Sequence, residues 1–371
     1  MTHFSAKLHS FRRATLSRFK LLKTVHLQIA YLIPLLANSA LGQAKEWSTE
    51  DNLATSDFPC QDNLNPVKFE NVPEFSLENA YLSLNAAWLS YNKSEAFKTS
   101  QLRSWGFERM RELPADGLGT RGYVADHGDY LVIAFRGTDS KKDFTSNALF
   151  YQTQAPRYLG AKGAWMHKGM KSMYSELRPT LLDIFSEFDG LHKPIYLSGH
   201  SLGGALAVIT ALDLANSGAK IHSIYTFGQP KVGNLALVHK AQTLFGDRLY
   251  RIAIESDITS RVPPAKEAAE DFSNIISAAK PKVRDSLKSL VSSINYSTET
   301  GLFRLLHKNG SLTPMGSGEL EFEHRYWKKI SSALSDREDL QGVIEFIASR
   351  FTDHDSRVYV CSMGKNFVKA L

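Results

Sequence analysis

The sequence predicts an α/β fold with a largely parallel central sheet flanked by helices. Nearly continuous apolar runs occur at 130–135, 195–198, 221–227 and 249–254, as expected of strands that are buried on both faces. Stretches with helical periodicity lie between them, around 169–188, 202–217 and 233–245. Strand, helix and strand at this spacing require crossover connections, which join parallel strands.

The segment before these strands is predicted to hold an extended arm, a helix and one more strand. Residues 45–75 are polar with scattered prolines, and apolar side chains recur at helical spacing from Leu77 onward. Ser76 is the candidate N-cap of that helix, and 122–126 is the next strand. Residues 76–371 are therefore expected to form the main domain.

A helical insertion is predicted at about 266–300. Phe272 and Ile275 fit the apolar face of one short helix, and Val283 and Leu287 fit that of a second, with Pro281 between them. Because proline disrupts a helix interior, we expect two separate helices. Simple packing against the rest of the fold is the favoured role for them, and covering the sheet edge or the functional site is the alternative.

The first 44 residues have the composition of an export signal. They contain six basic residues and no acidic one, and the apolar run 27–41 ends at Gly42-Gln43-Ala44, which suits a signal peptidase. A membrane anchor is the alternative. It is disfavoured because the run is shorter than the ~20 apolar residues a spanning helix needs, and Pro34 interrupts it. Arg12-Arg13 partly resembles a twin-arginine signal. We therefore predict a secreted or periplasmic protein.

The positive charge of the chain comes from this leader. The formal net charge is +6, from 44 basic and 38 acidic residues. The six leader cations account for all of it, so the rest of the chain is near neutral. No basic cluster with interleaved aromatic residues follows, and the sequence gives no reason to expect nucleic-acid binding.

A candidate nucleophile, Ser201, lies in a G-x-S-x-G pattern that runs from Gly199 to Gly203. An apolar strand precedes the pattern and a small-residue helix follows it, which is the context of a nucleophile elbow rather than of an ordinary turn. The glycines leave room where a Cβ would collide with the neighbouring elements. The N-terminus of the helix points N–H groups and positive dipole at any oxyanion formed there.

A serine nucleophile needs a histidine as base and a buried acid that orients it. On a sheet of this type the expected chain order is serine, acid, histidine. Asp257 is the best acid because it follows the apolar strand 249–254, with Glu255 as the competitor. Three histidines follow. They are His307 in a strand-to-turn segment, His324 after a predicted final strand at 319–322, and His354 at the end of a helical stretch.

These motifs resemble those of the fungal-type lipase family (lipase class 3), especially its bacterial members. The resemblance covers roughly residues 76–360 and implies an α/β-hydrolase fold with Ser201 and Asp257 in a catalytic triad. Its ordered pieces are Ala134-Phe135-Arg136-Gly137-Thr138, Asp143-Phe144 with Asn147, His167-Lys168-Gly169, the Gly199–Gly203 pattern, Thr226-Phe227-Gly228-Gln229-Pro230-Lys231-Val232-Gly233-Asn234, and Asp257 with Val262-Pro263.

The resemblance favours His354 over His324 as the catalytic histidine. In bacterial relatives that histidine follows an aspartate and precedes a tyrosine by several residues, as His354 does with Asp353 and Tyr359. Fungal members often tie the N-terminal arm to the segment after this histidine with a disulfide. By that likeness Cys60 and Cys361 are a candidate pair.

The resemblance also implies an oxyanion hole and a lid. The backbone N–H groups of Leu202 and Thr138, with the Thr138 hydroxyl, would hold the oxyanion. Residues 143–151 would form a lid over the acyl pocket, although a packed surface helix is the alternative. The predicted lid and substrate-binding side chains are Phe144, Leu149, Phe150, Tyr151 and His200.

The expected function is therefore that of a secreted serine hydrolase that cleaves carboxylic esters of lipids, like a triacylglycerol lipase. The substrate would be a lipid or ester at a lipid–water interface, with transient contact to a membrane surface and no metal or organic cofactor. One alternative is a phospholipase A1 or another carboxylesterase, such as a feruloyl-type esterase, on the same scaffold. Another is a catalytically silent protein that binds lipid surfaces.

Overall fold

An eight-stranded sheet with the order β1-β2-β3-β6-β7-β8-β9-β10 forms the centre of the computed structural model. The structure describes residues 68–72, 74–113, 122–137, 151–279, 294–298, 301–335, 350 and 353–367. Its strands are β1 (Arg109–Leu113), β2 (Gly122–Asp126), β3 (Leu131–Phe135), β4 (Gln152–Gln154), β5 (Trp165–His167), β6 (Ile195–His200), β7 (Ile221–Phe227), β8 (Leu249–Ile254), β9 (Leu302–Leu306) and β10 (Leu312–Pro314).

The helices of the described residues lie before, between and after these strands. They are α1 (Leu77–Leu89), α2 (Glu95–Ser104), α3 (Lys168–Glu187), α4 (Leu202–Asn216), α5 (Leu235–Phe245), α6 (Ala269–Ala279), α7 (Glu319–Ser335) and α8 (Ser356–Gly364). No helix within the described ranges is long and apolar enough to cross a membrane.

Strands β3, β6, β7, β8 and β9 pair in parallel, while the strands at both ends of the sheet pair antiparallel. The predicted α/β class with a largely parallel sheet is confirmed. The strands predicted at 122–126, 130–135, 195–198, 221–227 and 249–254 and the crossover helices between them agree with the structure to within a few residues. Strands β4 and β5 form a separate hairpin.

Two layers of helices bury the two faces of the sheet. Because strand side chains alternate, Ile133 of β3 belongs to a core formed with α3, α4 and α5, and Val132 to a core formed with α1 and α8. All residues of β3, β6 and β8 are buried. This explains why the parallel strands appear in the sequence as unbroken apolar runs.

The described part of the N-terminal arm packs against the sheet with aromatic side chains. The Phe69 ring lies 4.6 Å from that of Tyr196, and the Phe75 ring lies 5.3 Å from that of Tyr250. The Ser76 hydroxyl accepts the Asn79 N–H at 3.1 Å, which is the predicted N-cap of α1. The predicted leader at 1–44 and the arm up to residue 67 lie outside the described residues.

The predicted final strand at 319–322 is wrong, because α7 begins at Glu319. The first residues of α7 alternate between acidic and apolar side chains, as in a strand. Trp327 and Ile330 continue the apolar pattern at helical spacing, and both are buried. Trp327 packs edge-on against Phe272 of α6 with ring centres 5.1 Å apart. Helix α6 is thus the first of the two helices predicted for the insertion. The second, on Val283 and Leu287, lies outside the described residues.

Candidate active site

Ser201 occupies a sharp turn between β6 and α4. Its backbone has a φ of +57° and a ψ of −131°, a conformation that costs a non-glycine residue on the order of 1–3 kcal/mol. The surroundings hold it there, since the Ser201 N–H donates to the Phe227 carbonyl at 2.8 Å. A Cβ at Gly199 would lie 2.1 Å from the Gly203 carbonyl oxygen. The turn therefore needs glycine at position 199.

Ser201, His354 and Asp257 form a continuous hydrogen-bonded chain. The His354 Nε2 lies 2.7 Å from the Ser201 hydroxyl, and its Nδ1 lies 2.8 Å from Asp257 Oδ2. Ser201 follows β6, and Asp257 follows β8 in a loop at the same carboxyl edge of the sheet. His354 lies just before α8, 97 residues after the acid. This arrangement can take a proton from a serine hydroxyl and stabilise the resulting imidazolium.

Asp257 is fully buried and held as a carboxylate. Burial alone would raise its pKa, but His354, the Tyr359 hydroxyl and the Arg261 charge outweigh this and hold the pKa below its ordinary value. The Thr259 N–H donates to Oδ1 at 2.7 Å, and the Tyr359 hydroxyl donates to Oδ2 at 2.6 Å. The competitor Glu255 is exposed.

Tyr359→Phe is expected to lower the free energy of unfolding by about 1–3 kcal/mol, because the Ile254 N–H loses its buried acceptor and Asp257 loses a donor. The pKa of Asp257 is lower in the folded protein than in the unfolded chain, where it is near ~4, so the ionised carboxylate stabilises the fold above that pH. This stabilisation is lost as the pH falls through the pKa of Asp257 in the folded protein. The difference between the variant and the wild type should therefore shrink below pH ~4. Urea denaturation at several pH values measures it, and a difference that grows in acid would contradict this account.

Contacts of the residue before His354 fix the position of this histidine. The Ser256 hydroxyl donates to Asp353 Oδ2, and the Lys308 ammonium lies 2.7 Å from Asp353 Oδ1. Asp355 caps α8 by accepting the Arg357 N–H at 2.9 Å. Because Ser256 directly precedes Asp257, these contacts join the loop of the acid to the loop of the histidine.

A second histidine, His200, packs against the ring of His354. The two ring centres are 4.7 Å apart with 28° between the planes. Burial, followed by the charge of His354, lowers the pKa of His200 to about 3, so this ring is neutral. Its Nδ1 lies 2.8 Å from the Tyr91 hydroxyl, which accepts the Gly137 N–H at 2.8 Å. Tyr91 thus connects the loop after β3 to the elbow.

Tyr91→Phe is expected to lower kcat for a soluble ester about tenfold with little change in KM. The substitution removes the hydroxyl that accepts the buried Gly137 N–H, so the loop after β3 loses a contact that positions it. A displaced catalytic loop lowers kcat rather than weakening substrate binding. The matched control is Tyr158→Phe, which removes an exposed hydroxyl 3.4 Å from Ser175 and should leave kcat unchanged. Equal kcat values for Tyr91→Phe and the wild type would contradict this role.

The other candidate histidines lie away from the triad. The His324 Nδ1 is 2.6 Å from Asp271 Oδ2 and joins α7 to α6, so the structure does not support it as the alternative base. The His307 Nε2 is 2.8 Å from the Thr313 hydroxyl in the β9–β10 hairpin. His200, predicted among the lid and substrate-binding residues, is 3% exposed and packs behind His354.

The predicted oxyanion loop and lid are described only in part. Leu202 is the first residue of α4, directly after Ser201. A Cβ on Gly137 would lie 2.6 Å from Ser201 Cβ, so the backbone before position 138 reaches the nucleophile. Tyr151 is partly exposed before β4. The remaining predicted residues, Thr138, Phe144, Leu149 and Phe150, lie outside the described residues.

The candidate disulfide stays a prediction. Cys361 lies in α8, which contacts α1, whereas Cys60 lies outside the described residues. Within the described ranges, no group of three or more His, Cys, Asp and Glu residues is arranged to hold a metal ion.

Sequence reasoning missed the role of Tyr91. This residue follows the end of α1, where it fitted the apolar face of the helix. Its hydroxyl contact with His200 spans 109 positions in the chain. No local sequence pattern predicts this contact, because it depends on how α1 packs against the sheet.

Comparison with known proteins gives consistent matches to one family. Residues 132–267 match the family model described as Lipase (class 3). A lipase of Rhizomucor miehei is 33% identical over 143 residues, which are 36% of this chain and 38% of that protein. A secreted mono- and diacylglycerol lipase A of Penicillium cyclopium is 30% identical over 148 residues, which are 39% of this chain and 47% of that protein. The chain thus spans less than half the length of either curated relative.

Among solved structures, the chain matches that of the triacylglyceride lipase of Rhizomucor miehei. It superimposes with a TM-score of 0.43 at 26% identity, and the match covers 51% of this chain and 74% of that chain.

Proposed function

Since residues 132–267 place the chain in the class 3 lipase family of the α/β-hydrolase superfamily, we propose that it is a serine hydrolase that cleaves carboxylic esters of lipids. The observation that carries the proposal is the hydrogen-bonded chain from Asp257 through His354 to Ser201. A buried carboxylate, a histidine bonded at both ring nitrogens and a strained serine together are the parts that acyl transfer needs.

In the proposed mechanism His354 Nε2 takes the proton of Ser201 as the serine oxygen attacks the ester carbonyl carbon. Asp257 holds the imidazole so that Nε2 faces the serine, and it stabilises the positive charge that forms. The tetrahedral intermediate collapses, the C–O bond to the alcohol breaks, and His354 gives its proton to the departing alkoxide. Water then attacks the acyl-enzyme through the same base and releases the carboxylic acid.

The negative charge of the tetrahedral intermediate needs donors that are already in position. We propose the N–H of Leu202 and the N–H of Thr138, with the Thr138 hydroxyl, for this role. The close approach of Gly137 to Ser201 supports the choice, because it brings the end of β3 to the nucleophile. Loss of one such donor typically costs about 10²–10³ in rate.

The test is hydrolysis of p-nitrophenyl esters from acetate to palmitate, followed by emulsified triacylglycerol, diacylglycerol and phosphatidylcholine. Wild type should hydrolyse the esters, and Ser201→Ala should retain less than about 10⁻³ of kcat. Preference for acylglycerols above their aggregation threshold supports a lipase, and release of fatty acid mainly from phosphatidylcholine would make the enzyme a phospholipase. No wild-type hydrolysis of any ester would overturn the proposal in favour of a silent lipid-binding protein.

We also propose that the protein is exported. The basic and apolar composition of residues 1–44 supports this, as does the secreted mono- and diacylglycerol lipase A of Penicillium cyclopium as a relative. Fractionation of the expressing cells tests it: a shortened chain outside the cytoplasm supports export, and a full-length cytoplasmic chain contradicts it.

A further inference from the structure

We propose that the edge of the sheet on which Ser201 lies binds anionic lipid surfaces through Trp165, Leu235, Lys162 and Lys168. These four residues are called the edge patch below. The inference deepens the proposed function, since it names the surface that would meet a lipid aggregate and the headgroup charge that it would prefer. It does not require Ser201 to be active.

The topology places the edge patch beside the nucleophile. Helices that connect parallel strands begin at the carboxyl edge and run back to the amino edge. Helix α3 precedes β6, and α5 connects β7 to β8, so both helices begin at the edge that holds Ser201. Trp165 lies three residues before α3, and Leu235 is the first residue of α5.

The apolar members of the edge patch are neighbours and face solvent. The Asn234 N–H donates to the Trp165 carbonyl at 2.9 Å, and the Trp165 N–H donates to Asn234 Oδ1 at 3.0 Å. Leu235 follows directly, with 69% of its surface exposed, and Trp165 is 47% exposed. Two exposed large apolar residues on hydrogen-bonded neighbouring segments leave apolar area in water that a partner surface would bury favourably. Tryptophan is a side chain typical of membrane–water interfaces.

The two segments that carry the edge patch contain basic residues and no acidic ones. Residues 151–175 and 229–246 contain no aspartate or glutamate, although the chain has 38 acidic residues. Lys162 and Lys168 are exposed, and within the described ranges no ion pair joins either of them to a carboxylate. This uncompensated charge is complementary to anionic headgroups.

The position of Lys168 in the first turn of α3 adds to this charge preference. It contains Lys168 and Lys171 and no acidic residue. A cation at a helix N-terminus opposes the helix dipole. The Lys171 ammonium is kept at this edge by donating to the Gln154 carbonyl at 3.0 Å. Local stability therefore disfavours these cations, whereas an anionic surface in front of the helix would favour them.

The experiment measures vesicle binding by the full chain carrying Ser201→Ala, so that no lipid is hydrolysed. Vesicles of phosphatidylcholine alone are compared with vesicles that also contain phosphatidylglycerol, by cosedimentation. We expect stronger binding to the anionic vesicles. Trp165→Ala with Leu235→Ala should weaken it about tenfold or more. The double variant Lys162→Glu with Lys168→Glu should weaken binding to the anionic vesicles by at least about fivefold for each lysine replaced. Its binding to vesicles of phosphatidylcholine alone should not change.

The matched control carries Leu191→Ala and Lys220→Glu, an exposed apolar residue and an exposed cation next to the amino ends of β6 and β7. It should bind as the parent does. An equal loss in this control, or unchanged binding in both edge variants, overturns the proposal, as does failure of the parent to bind anionic vesicles.

Hydrolysis of soluble p-nitrophenyl butyrate by the edge variants with Ser201 intact separates the two proposals. An inactive wild type contradicts the enzymatic function alone, whereas unchanged vesicle binding contradicts the edge patch alone.

Discussion

His354→Ala is expected to lower kcat for a soluble short-chain ester by about 10⁴-fold or more. Its Nε2 is 2.7 Å from the Ser201 hydroxyl. Without the imidazole, the serine keeps its proton at neutral pH, and the fully buried carboxylate of Asp257 loses the partner 2.8 Å away. The measurement is kcat and KM for p-nitrophenyl butyrate, with circular dichroism to check that the variant is folded.

The matched control for this variant is His324→Ala. His324 also pairs with an aspartate, at 2.6 Å, but it does so between α6 and α7. Loss of this partly exposed pair should leave kcat within about twofold of wild type. If His324→Ala were the inactive variant and His354→Ala the active one, the triad would be wrong.

Gly199→Ala is expected to destabilise the protein by about 3 kcal/mol and to abolish ester hydrolysis. The added Cβ would lie 2.1 Å from the carbonyl oxygen and 2.2 Å from the carbonyl carbon of Gly203. Both atoms belong to the backbone of the first turn of α4, so no side-chain rotation relieves the collision. Either α4 moves away from β6 or the elbow changes shape, and both displace Ser201.

Gly318→Ala is the control for the glycine substitution. A Cβ at this position meets no atom within 4 Å, and its φ is not in the left-handed region. Its free energy of unfolding should therefore lie within about 0.5 kcal/mol of that of the wild type. Urea denaturation compares both variants. Equal stability of Gly199→Ala and Gly318→Ala would show that the elbow tolerates a side chain where the geometry excludes one.

The central part of the fold was predictable because its physical causes are local. Strands such as β3 and β8 are buried on both faces, so every position along them is apolar or fully packed. The elbow is equally local, since Gly199, Ser201 and Gly203 meet the steric demands of one turn. Asp257 was predictable because the loops after parallel strands share one edge of the sheet.

The error at α7 also has a local cause. The five residues from Glu319 alternate between acidic and apolar side chains, which resembles a strand. The helical period becomes visible only when Trp327 and Ile330, both buried against the insertion, are included. A short window therefore favoured the wrong element, and tertiary packing decided the structure.

The remaining parts of the site depend on contacts between distant segments. His354 is 97 positions from its acid, and Tyr91 is 109 positions from His200. Hydrogen bonds between such distant positions produce no recognisable motif or fixed spacing in the sequence. The residues alone left three histidines open, and only the family resemblance favoured His354.

The most direct test of the proposed triad is covalent trapping of the nucleophile by a fluorophosphonate, followed by mass mapping of the labelled peptide. The reagent reacts only with a serine that a neighbouring base has activated. We expect one adduct on Ser201 in the wild type and in His324→Ala, and labelling slowed at least about 10³-fold in His354→Ala. A wild-type chain that stays unlabelled, or that is labelled at another residue, would contradict the proposed triad.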